Sequence, residues 1–387
     1  MDFSLTDEQL QIVKTTRQFV EKELYPHEKE IEATGVLRPE LLRDIKGRAI
    51  QAGLYAANMP AEFGGAGLDT VTWVLYEKEL GRANYALHYI CVGRPSNILL
   101  ACVGEQRERY LLPAVRGERV DCLALTEPAA GSDLRAIKTT AVAQGGDFII
   151  NGTKHFISHA DHADFVILFA ASGEQSGPRG PVKQLTAFLI DMGHPGFSVR
   201  DGYRNVSHRG YNNCILQFDD CRVPRSAVLG AVHGGFEVAN TWLGATRLQV
   251  AATCLGRAAR AIDLAKQWAV DRKQFGRSIG KFQGVSFKLA DMVMEQRAAE
   301  LLVLEAAWKR DRKTDTDMDM AIAKLKATEM LAMVADEALQ IHGGMGLMSE
   351  LPLERIWRDA RIERIWDGTS EVQRHIISRA LLRPLGG

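Results

Sequence analysis

The chain has 387 residues, of which 46% are hydrophobic, so it can bury a large core and divide into two or three domains. Its 48 Lys and Arg residues balance 48 Asp and Glu residues, and this zero net charge argues against a nucleic-acid partner. The six cysteines form no Cys-x-x-Cys pair, which argues against a disulfide framework or a zinc site. The N-terminus is acidic without an apolar leader, and the longest apolar run, 165–171, is far too short for a membrane span. We therefore predict a soluble, cytoplasmic protein with no membrane partner.

The N-terminal third has helical patterns. Thr6 and Gln9 have the spacing of a capping box before an apolar stripe that recurs at helical intervals. Further helical patterns cover residues 40–53 and 69–81, separated by a glycine-rich loop. We predict a helical N-terminal domain over residues 1–119.

The periodicity changes near residue 120. Two β-branched or apolar runs, 139–143 and 148–151, flank Gln144-Gly145-Gly146-Asp147, which predicts a β-hairpin. Further short runs follow without long helical patterns between them, and this favours an antiparallel sheet over a Rossmann fold. We predict a middle domain over residues 120–229 that is an antiparallel β-barrel or sandwich.

Long helices are predicted again after residue 230. One apolar stripe alternates spacings of three and four and contains small side chains that suit close helix packing: Met320, Ala323, Ala327, Met330, Val334, Ala338 and Ile341. The pattern predicts a C-terminal helical bundle over residues 230–387. The fold class is therefore α+β, multidomain and mainly α.

A candidate catalytic carboxylate lies near the C-terminus. Asp367 comes just before a predicted helix that Thr369 or Ser370 can cap and whose first turn holds Glu371. The free N–H groups of a helix N-terminus stabilise negative charge. Asp367 is thus placed where a base could act beside a backbone that stabilises an anion.

Two segments of the middle region could surround a flat ligand. The loop 125–133 concentrates hydroxyls, carboxylates and small residues where helices give way to strands. The strand 152–158 then offers an aromatic ring, Phe156, that can cover a heterocycle and a hydroxyl, Ser158, that can donate to its edge. A polar interdomain turn and a barrel rim are the alternative interpretations.

Three further segments are less specific indicators of function when each is considered alone. Arg272, in the turn 271–283, could bind a pyrophosphate with its forked guanidinium or lie in a solvated turn. The glycine-rich end at 343–346 has no preceding strand and is therefore no Rossmann fingerprint, although a helix cap explains only one of its three glycines. His159 and His162 lie in a polar loop without a second ligand cluster, so we predict no metal site.

Together these segments resemble the acyl-CoA dehydrogenase family of flavoproteins over nearly the whole chain. The resemblance rests on the N-terminal helices, the Thr-Glu-Pro loop, the strand that ends at Ser158, the Arg-x-x-Phe-Gly turn, the Gly-Gly-x-Gly segment and the block 358–370. It implies a C-terminal four-helix bundle, with FAD bound between this bundle and the middle β domain.

The resemblance also assigns site residues by motif position. It implies one set of FAD-binding residues in the middle domain and next to the base: Leu123, Leu125, Thr126, Ser132, Phe156, Ser158, Thr369 and Glu371. It implies a second set that reaches the FAD of a neighbouring subunit: Arg272, Gln274, Phe275, Phe282, Gln283, Gln340, Gly343 and Gly344. It places a third set near the acyl-CoA: Ser132, Thr246, Arg247, Gly368 and Arg379. The shared cofactor site implies a homo-oligomer, either a dimer or a tetramer.

The implied reaction is the α,β-dehydrogenation of an acyl-CoA thioester to the 2-enoyl-CoA. Asp367 takes the α-proton while hydride passes from the β-carbon to flavin N5. Hydrogen bonds to the thioester carbonyl, one of them from the backbone N–H of Asp367, stabilise the developing enolate. FAD carries the redox chemistry, and an electron-transfer flavoprotein is the implied acceptor.

The chain departs from the family pattern at the base. Most relatives have Glu at the position of Asp367, and the base position of some other branches is occupied here by Thr246, which cannot serve. Asp is shorter by about 1.5 Å, and a misplacement of that size can cost ~100-fold in rate. We therefore expect an acyl-CoA substrate with a cyclic or branched acyl group favoured over a straight chain. The alternatives are a nitroalkane oxidase-like flavin oxidase and a flavin monooxygenase on the same fold.

Overall fold

The computed structural model describes residues 4–177 and 180–385. The N-terminal helices are α1 (Asp7–Phe19), α2 (Glu28–Thr34), α3 (Pro39–Gln51), α4 (Thr70–Leu80) and the short α5 (Leu112–Val115). Thr6 caps α1 through the predicted capping box with Gln9, and Asp69 caps α4. The helical N-terminal region is confirmed.

The middle region is a single eight-stranded sheet. Its strands are β1 (Asp121–Ala124), β2 (Thr140–Gln144), β3 (Asp147–Ser158), β4 (Phe165–Gly177), β5 (Gly180–Asp191), β6 (Phe197–Asp201), β7 (Asn213–Pro224) and β8 (Val228–Leu229). The order is β6-β7-β3-β2-β4-β5-β8, with β1 beside β4. The predicted hairpin is confirmed, since β2 and β3 pair antiparallel through Val142 and Ile149.

Most neighbouring strands are antiparallel as predicted, but β4 has two parallel neighbours. It pairs with β1 from Asp121 to Ala124, and it meets β2 at Thr140. A tight turn forces antiparallel pairing, whereas the long connection from β1 to β4 leaves the direction free. The loop 125–133 follows directly after β1.

The C-terminal region is the expected helical bundle. Its helices are α6 (Gly235–Asp271), α7 (Gln283–Asp311), α8 (Asp317–His342), α9 (Leu353–Glu363) and α10 (Ser370–Leu382), with a small hairpin of β9 (Lys273–Gln274) and β10 (Arg277–Ser278) between α6 and α7. Helix α8 packs against α6, α7, α9 and α10, and every residue of its predicted apolar stripe is buried. The predicted four-helix bundle is confirmed.

The two helical regions meet where α4 crosses α6. A Cβ on Gly256 would lie 1.8 Å from the carbonyl oxygen of Lys78, and a Cβ on Gly81 would lie 2.4 Å from that of Thr253. Only glycine allows two helix backbones to approach this closely. As a result, Val74 of α4 belongs to the same core as the bundle.

In the described parts of the chain, the helices include none that is long and apolar enough to cross a membrane. The six cysteines are all free and buried. Residues 4–177 and 180–385 contain no group of three His, Cys, Asp or Glu side chains arranged to hold a metal ion.

Candidate active site

Asp367 lies in a sharp turn between α9 and α10, which we call the base loop (residues 364–369). Asp367 has φ 51° and Gly368 has φ 91°, so two successive residues adopt left-handed backbone conformations. Thr369 ends the loop by capping α10, because its side chain accepts a hydrogen bond from the N–H of Val372. The predicted cap is confirmed.

The Asp367 carboxylate lies against the bundle helices. The hydroxyl of Thr246, on α6, donates a hydrogen bond to Asp367 Oδ2 at 3.2 Å. Burial raises the pKa of Asp367 above the ordinary aspartate value, although the nearby Lys324 charge and the Thr246 hydrogen bond act in the opposite direction. A raised pKa suits a carboxylate that must accept a proton.

Lys324 of α8 contacts the base loop from the core side. Its side chain is buried, and its ammonium donates hydrogen bonds to the carbonyl oxygens of Trp366 and Gly368, the two residues that flank Asp367. The Gly368 carbonyl also accepts from Gln373 Nε2 at 2.9 Å. The backbone on both sides of the candidate base is therefore held by side chains.

A buried cluster of charged side chains lies next to the base loop. Glu363, the last residue of α9, accepts hydrogen bonds from Arg257 and, at 2.8 Å, from the indole of Trp366. His208 Nε2 lies 3.2 Å from the same carboxylate. Burial alone would raise the pKa of Glu363, but the Arg257 charge and His208 outweigh it and lower that pKa to about 2. Glu363 is thus a charged structural anchor rather than a second base.

An aromatic wall formed by Tyr85, Tyr89, Tyr211 and Trp366 stands next to Asp367. The Tyr85 ring centroid lies 5.3 Å from that of Tyr89, 4.8 Å from that of Tyr211 and 5.0 Å from that of Trp366. Burial raises the pKa of Tyr85 and Tyr211, and the Asp367 charge adds to the effect. The phenols therefore stay neutral, and the wall is a mainly apolar surface beside the carboxylate.

Most of the first predicted cofactor set lies around the end of β1 and the bulge in β3. The carbonyl of Thr126 accepts a hydrogen bond from the N–H of His155 at 2.9 Å, which ties the loop after β1 to β3. The β3–β7 register shifts between Lys154 and Ile157, and at this bulge Phe156 has φ 55° and is 56% exposed. Ser158 contacts the phenol of Tyr211, a member of the aromatic wall next to Asp367.

The second predicted set forms a distal cluster at the far ends of α6 and α8. The stacked rings of Trp268 and His342, 4.9 Å apart, join these two ends. The cluster consists of the predicted residues Arg272, Gln274, Phe275, Phe282, Gln283, Gln340, Gly343 and Gly344.

The distal cluster is far from Asp367 of the same chain. Arg272 follows Thr246 by 272 minus 246, or 26, residues along one continuous helix, which corresponds to about 39 Å. That distance is longer than an extended dinucleotide. Within one protomer the distal cluster is therefore separate from the Asp367 carboxylate.

The residues present fit the FAD that the resemblance implies. Phe275 is 92% exposed and Phe156 is 56% exposed, so both present bare aromatic surface that a flat heterocycle or an adenine could cover. Arg272 is exposed and forms no ion pair within the described residues, so its guanidinium is available to a pyrophosphate. Beside the base, Thr369 and Glu371 lie at the N-terminus of α10, where N–H groups can bind anionic oxygens.

The predicted substrate residues divide into two groups. Thr246, Arg247 and Gly368 lie at the Asp367 carboxylate, and the Arg247 charge lowers the pKa of that group. Ser132 is exposed in the loop after β1, and Arg379 is exposed in the last turn of α10, nine residues beyond Ser370 or about 14 Å along the helix. Neither contacts Asp367 within the described chain.

Several site residues were not predicted from the sequence. The aromatic wall brings together residues from three distant segments, so no local sequence pattern predicts it. Lys324 had a signal, because it lies four residues after Met320 and three before Ala327, on the buried face of α8. A lysine on a core face is rare unless it has a partner.

Comparison with known proteins agrees with this arrangement. Residues 6–118 match the model of the acyl-CoA dehydrogenase N-terminal domain, residues 122–221 that of the middle domain, and residues 233–382 that of the C-terminal domain. The chain is 37% identical to a protein named acryloyl-CoA reductase (NADH) from Anaerotignum propionicum, and the match covers 99% of this chain and 96% of that protein.

Solved structures give the same result. Butyryl-CoA dehydrogenase from Megasphaera elsdenii superposes with a TM-score of 0.90 at 34% identity, over 99% of this chain and 100% of that one. A structure described as an electron transferring flavoprotein of Acidaminococcus fermentans, from a study of flavin-based electron bifurcation, superposes with a TM-score of 0.89 at 34% identity over 99% and 100% of the two chains.

Proposed function

Because this chain belongs to the acyl-CoA dehydrogenase family of oxidoreductases, we propose that it converts an acyl-CoA thioester to the 2-enoyl-CoA with Asp367 as the base. The observation that carries the proposal is the position of Asp367. Its carboxylate lies between Thr246 and the aromatic wall, in a strained turn before the N-terminus of α10. No other carboxylate of the base loop or of its α6 neighbours occupies such a position among the described residues.

The chain's residues divide the work of proton removal. The Asp367 carboxylate takes the α-proton, and the electron pair of that C–H bond forms the new C=C bond. The backbone N–H of Asp367 makes no hydrogen bond to another residue in the described parts of the chain, so it is available to the thioester carbonyl. Such a donor stabilises the oxyanion as charge develops, in a site from which the aromatic wall excludes water.

FAD supplies the oxidant in this proposal. When bound, it accepts the hydride that leaves the β-carbon, and its flavin is reduced by two electrons. Leu123, Leu125, Thr126, Phe156 and Ser158 would hold the flavin against the base.

The acyl group in this proposal is compact, meaning short, branched or cyclic. The rings of the aromatic wall touch one another at ordinary contact distances, which leaves no channel between them for a long alkyl chain. A short base also requires the α-carbon to lie deep, and a compact acyl group can approach more closely. The similar proteins named for acryloyl and butyryl groups, both short, support the same choice.

The active enzyme in this proposal is a homo-oligomer in which the distal cluster of one subunit completes the FAD site of another. The span of about 39 Å along α6 from Thr246, beside Asp367, to Arg272 supports this, because it is longer than one extended dinucleotide. Exposed apolar residues on α7 recur every seven positions, which puts them on one helix face: Phe287, Met294, Leu301 and Trp308. A face of this kind marks a contact surface, and a second copy of the chain is the partner that the shared FAD site requires.

An electron-transfer flavoprotein is the proposed acceptor for the reduced FAD. The family resemblance implies this acceptor, and a structure that superposes on this chain comes from a study of an electron transferring flavoprotein. The cytoplasmic location stays a prediction.

Anaerobic flavin reduction tests the proposal. The FAD-loaded enzyme should be bleached by at least one thioester in a series of straight, branched, cyclic and long acyl-CoAs, with compact groups fastest. Asp367→Asn should keep its FAD and still bind the thioester, but bleaching should slow at least ~100-fold. Asp7→Asn, at an exposed aspartate in the first turn of α1, is the control and should behave as wild type.

Two outcomes would overturn the proposal. Fast bleaching of the Asp367→Asn enzyme would remove Asp367 from the role of base. Absence of bleaching by every thioester, together with oxygen uptake on nitroalkanes, would favour the oxidase alternative.

A further inference from the structure

We infer that Lys324 is a positioning residue for the proposed reaction: it fixes the carbonyls of Trp366 and Gly368, on either side of Asp367, so that the carboxylate and the Asp367 N–H face the substrate together. This inference rests on the proposed role of Asp367. Lys324 is a buried residue of the bundle helix α8 and is distant in sequence from the base loop.

The geometry starts with the two hydrogen bonds of Lys324. Its ammonium donates to the carbonyl oxygen of Trp366 and to that of Gly368. The peptide bonds here are planar and trans, so the N–H of each peptide group points away from its C=O. With the Trp366 carbonyl turned to the core, the N–H of Asp367 is turned away from the core.

The direction of that N–H is the direction in which the thioester carbonyl must lie. The Asp367 N–H has no hydrogen-bond acceptor within residues 4–177 and 180–385, as expected for a group that is kept for a ligand. The carboxylate of the same residue lies at Thr246 on the side of the aromatic wall. One side chain, Lys324, therefore fixes the relative position of the oxyanion donor and the base.

The backbone of the base loop needs such an anchor. Asp367 has φ 51°, a left-handed conformation that costs a residue with a side chain free energy, so hydrogen bonds to the adjacent carbonyls stabilise the turn. Lys324 is 1% exposed, so it approaches these carbonyls from the core. Glu329, five residues later on α8, accepts a hydrogen bond from Ser370 at 2.8 Å and lies 2.9 Å from Arg364. Helix α8 thus holds the centre of the loop with a cation and its two ends with an anion.

The charge of Lys324 also acts on the base. Burial raises the pKa of Asp367, and the Lys324 ammonium is the largest influence that lowers it. The other charged or titratable groups that face Asp367 come from each packed element, namely Arg247 of α6, Glu363 of α9, and the phenols Tyr85, Tyr89 and Tyr211. Of these, Lys324 alone binds the backbone of the loop, so its removal should change both geometry and proton affinity.

The test is the pH profile of anaerobic flavin bleaching by the best acyl-CoA. Lys324→Met removes the charge and both hydrogen bonds, whereas Lys324→Gln removes the charge and keeps an N–H donor. Both variants should move the acid limb of the profile to higher pH, because Asp367 then binds its proton more tightly. Above that limb, the Met variant should bleach about 100-fold more slowly than wild type, and the Gln variant should lie between the two.

The matched control is Lys326→Met, the same substitution two residues along α8, where the ammonium pairs with Glu295 of α7. It should leave the acid limb and the rate unchanged. A purely structural role of Lys324 would lower the thermal midpoint and FAD content of its variants without moving the acid limb. That result, or the failure of both Lys324 variants to fold, would overturn the inference.

A parallel measurement on Asp367→Asn separates the two proposals. If this variant bleaches as fast as wild type, Asp367 is not the base, and the inferred role of Lys324 is then wrong as well. If it does not bleach while the Lys324 variants keep the wild-type acid limb, only the inference about Lys324 is wrong.

Discussion

Gly368→Ala should destabilise the protein more than a Gly→Ala substitution does at a typical glycine with a left-handed backbone conformation. Gly368 has φ 91°, and a Cβ there would lie 2.6 Å from Gln373 Nε2. An L-residue in this region costs roughly 1–2 kcal/mol. Gln373 is also buried and must move, which breaks its 2.9 Å hydrogen bond to the Gly368 carbonyl and costs about 1–3 kcal/mol. We expect a loss of about 3 kcal/mol in the free energy of unfolding.

Gly193→Ala is the matched control for this prediction. Gly193 has φ 77°, but a Cβ there would meet no atom within 4 Å, so only the backbone cost of roughly 1–2 kcal/mol remains. Urea unfolding of both variants at equal FAD content measures the difference. Gly368→Ala should also bleach about 100-fold more slowly, because the neighbouring carboxylate is displaced. Equal losses of stability in the two variants, with wild-type bleaching in both, would refute the reasoning about this turn.

Three further substitutions test other parts of the site. Thr246→Val removes the hydroxyl that donates a hydrogen bond to Asp367, so the acid limb of the bleaching pH profile should move to higher pH. At pH values below that limb, the bleaching rate should be about 10-fold lower than that of the wild type. An acid limb at the wild-type pH would contradict this. Glu363→Gln should lose the stability that its depressed pKa supplies. That contribution to the free energy of unfolding is roughly 3 kcal/mol. It is fully present above the unfolded pKa of 4.5 and is lost as the pH falls toward about 2. The free energy of unfolding of the variant should therefore change less between pH 4.5 and pH 2 than that of the wild type. Arg272→Ala should release FAD from an otherwise folded chain, whereas the neighbouring Lys273→Ala should retain it. Unchanged FAD content and oligomer mass in Arg272→Ala would contradict the shared site.

Much of the fold was predictable because its signals are local. The Thr6 capping box, the Gln144–Asp147 hairpin and the Thr369 cap each depend on a few adjacent residues, and all three are confirmed. The apolar stripe of α8 is equally local, since its period is set by the helix itself. The division of the chain at residues 119 and 229 stays a prediction.

The rest of the site could not be predicted because it is made by packing. The parallel pairing of β1 with β4 has no turn that dictates it. The aromatic wall joins Tyr85, Tyr211 and Trp366, which are separated by more than a hundred residues of chain. Lys324 could have been noticed as a cation on a buried face, but the carbonyls that it binds lie on a different segment. Sequence motifs thus identified Asp367, while its surroundings required the three-dimensional structure.

Exchange of the α-hydrogen of a bound acyl-CoA with solvent deuterium tests the role of Asp367 most directly, because it reports proton removal whether or not the flavin is then reduced. The FAD-loaded enzyme is incubated anaerobically in D₂O with a thioester, and deuterium at the α-carbon is measured by mass spectrometry. We predict incorporation catalysed by the wild-type enzyme and its loss in Asp367→Asn, with thioester binding retained. Equal incorporation by the two proteins would contradict the assignment of Asp367 as the base.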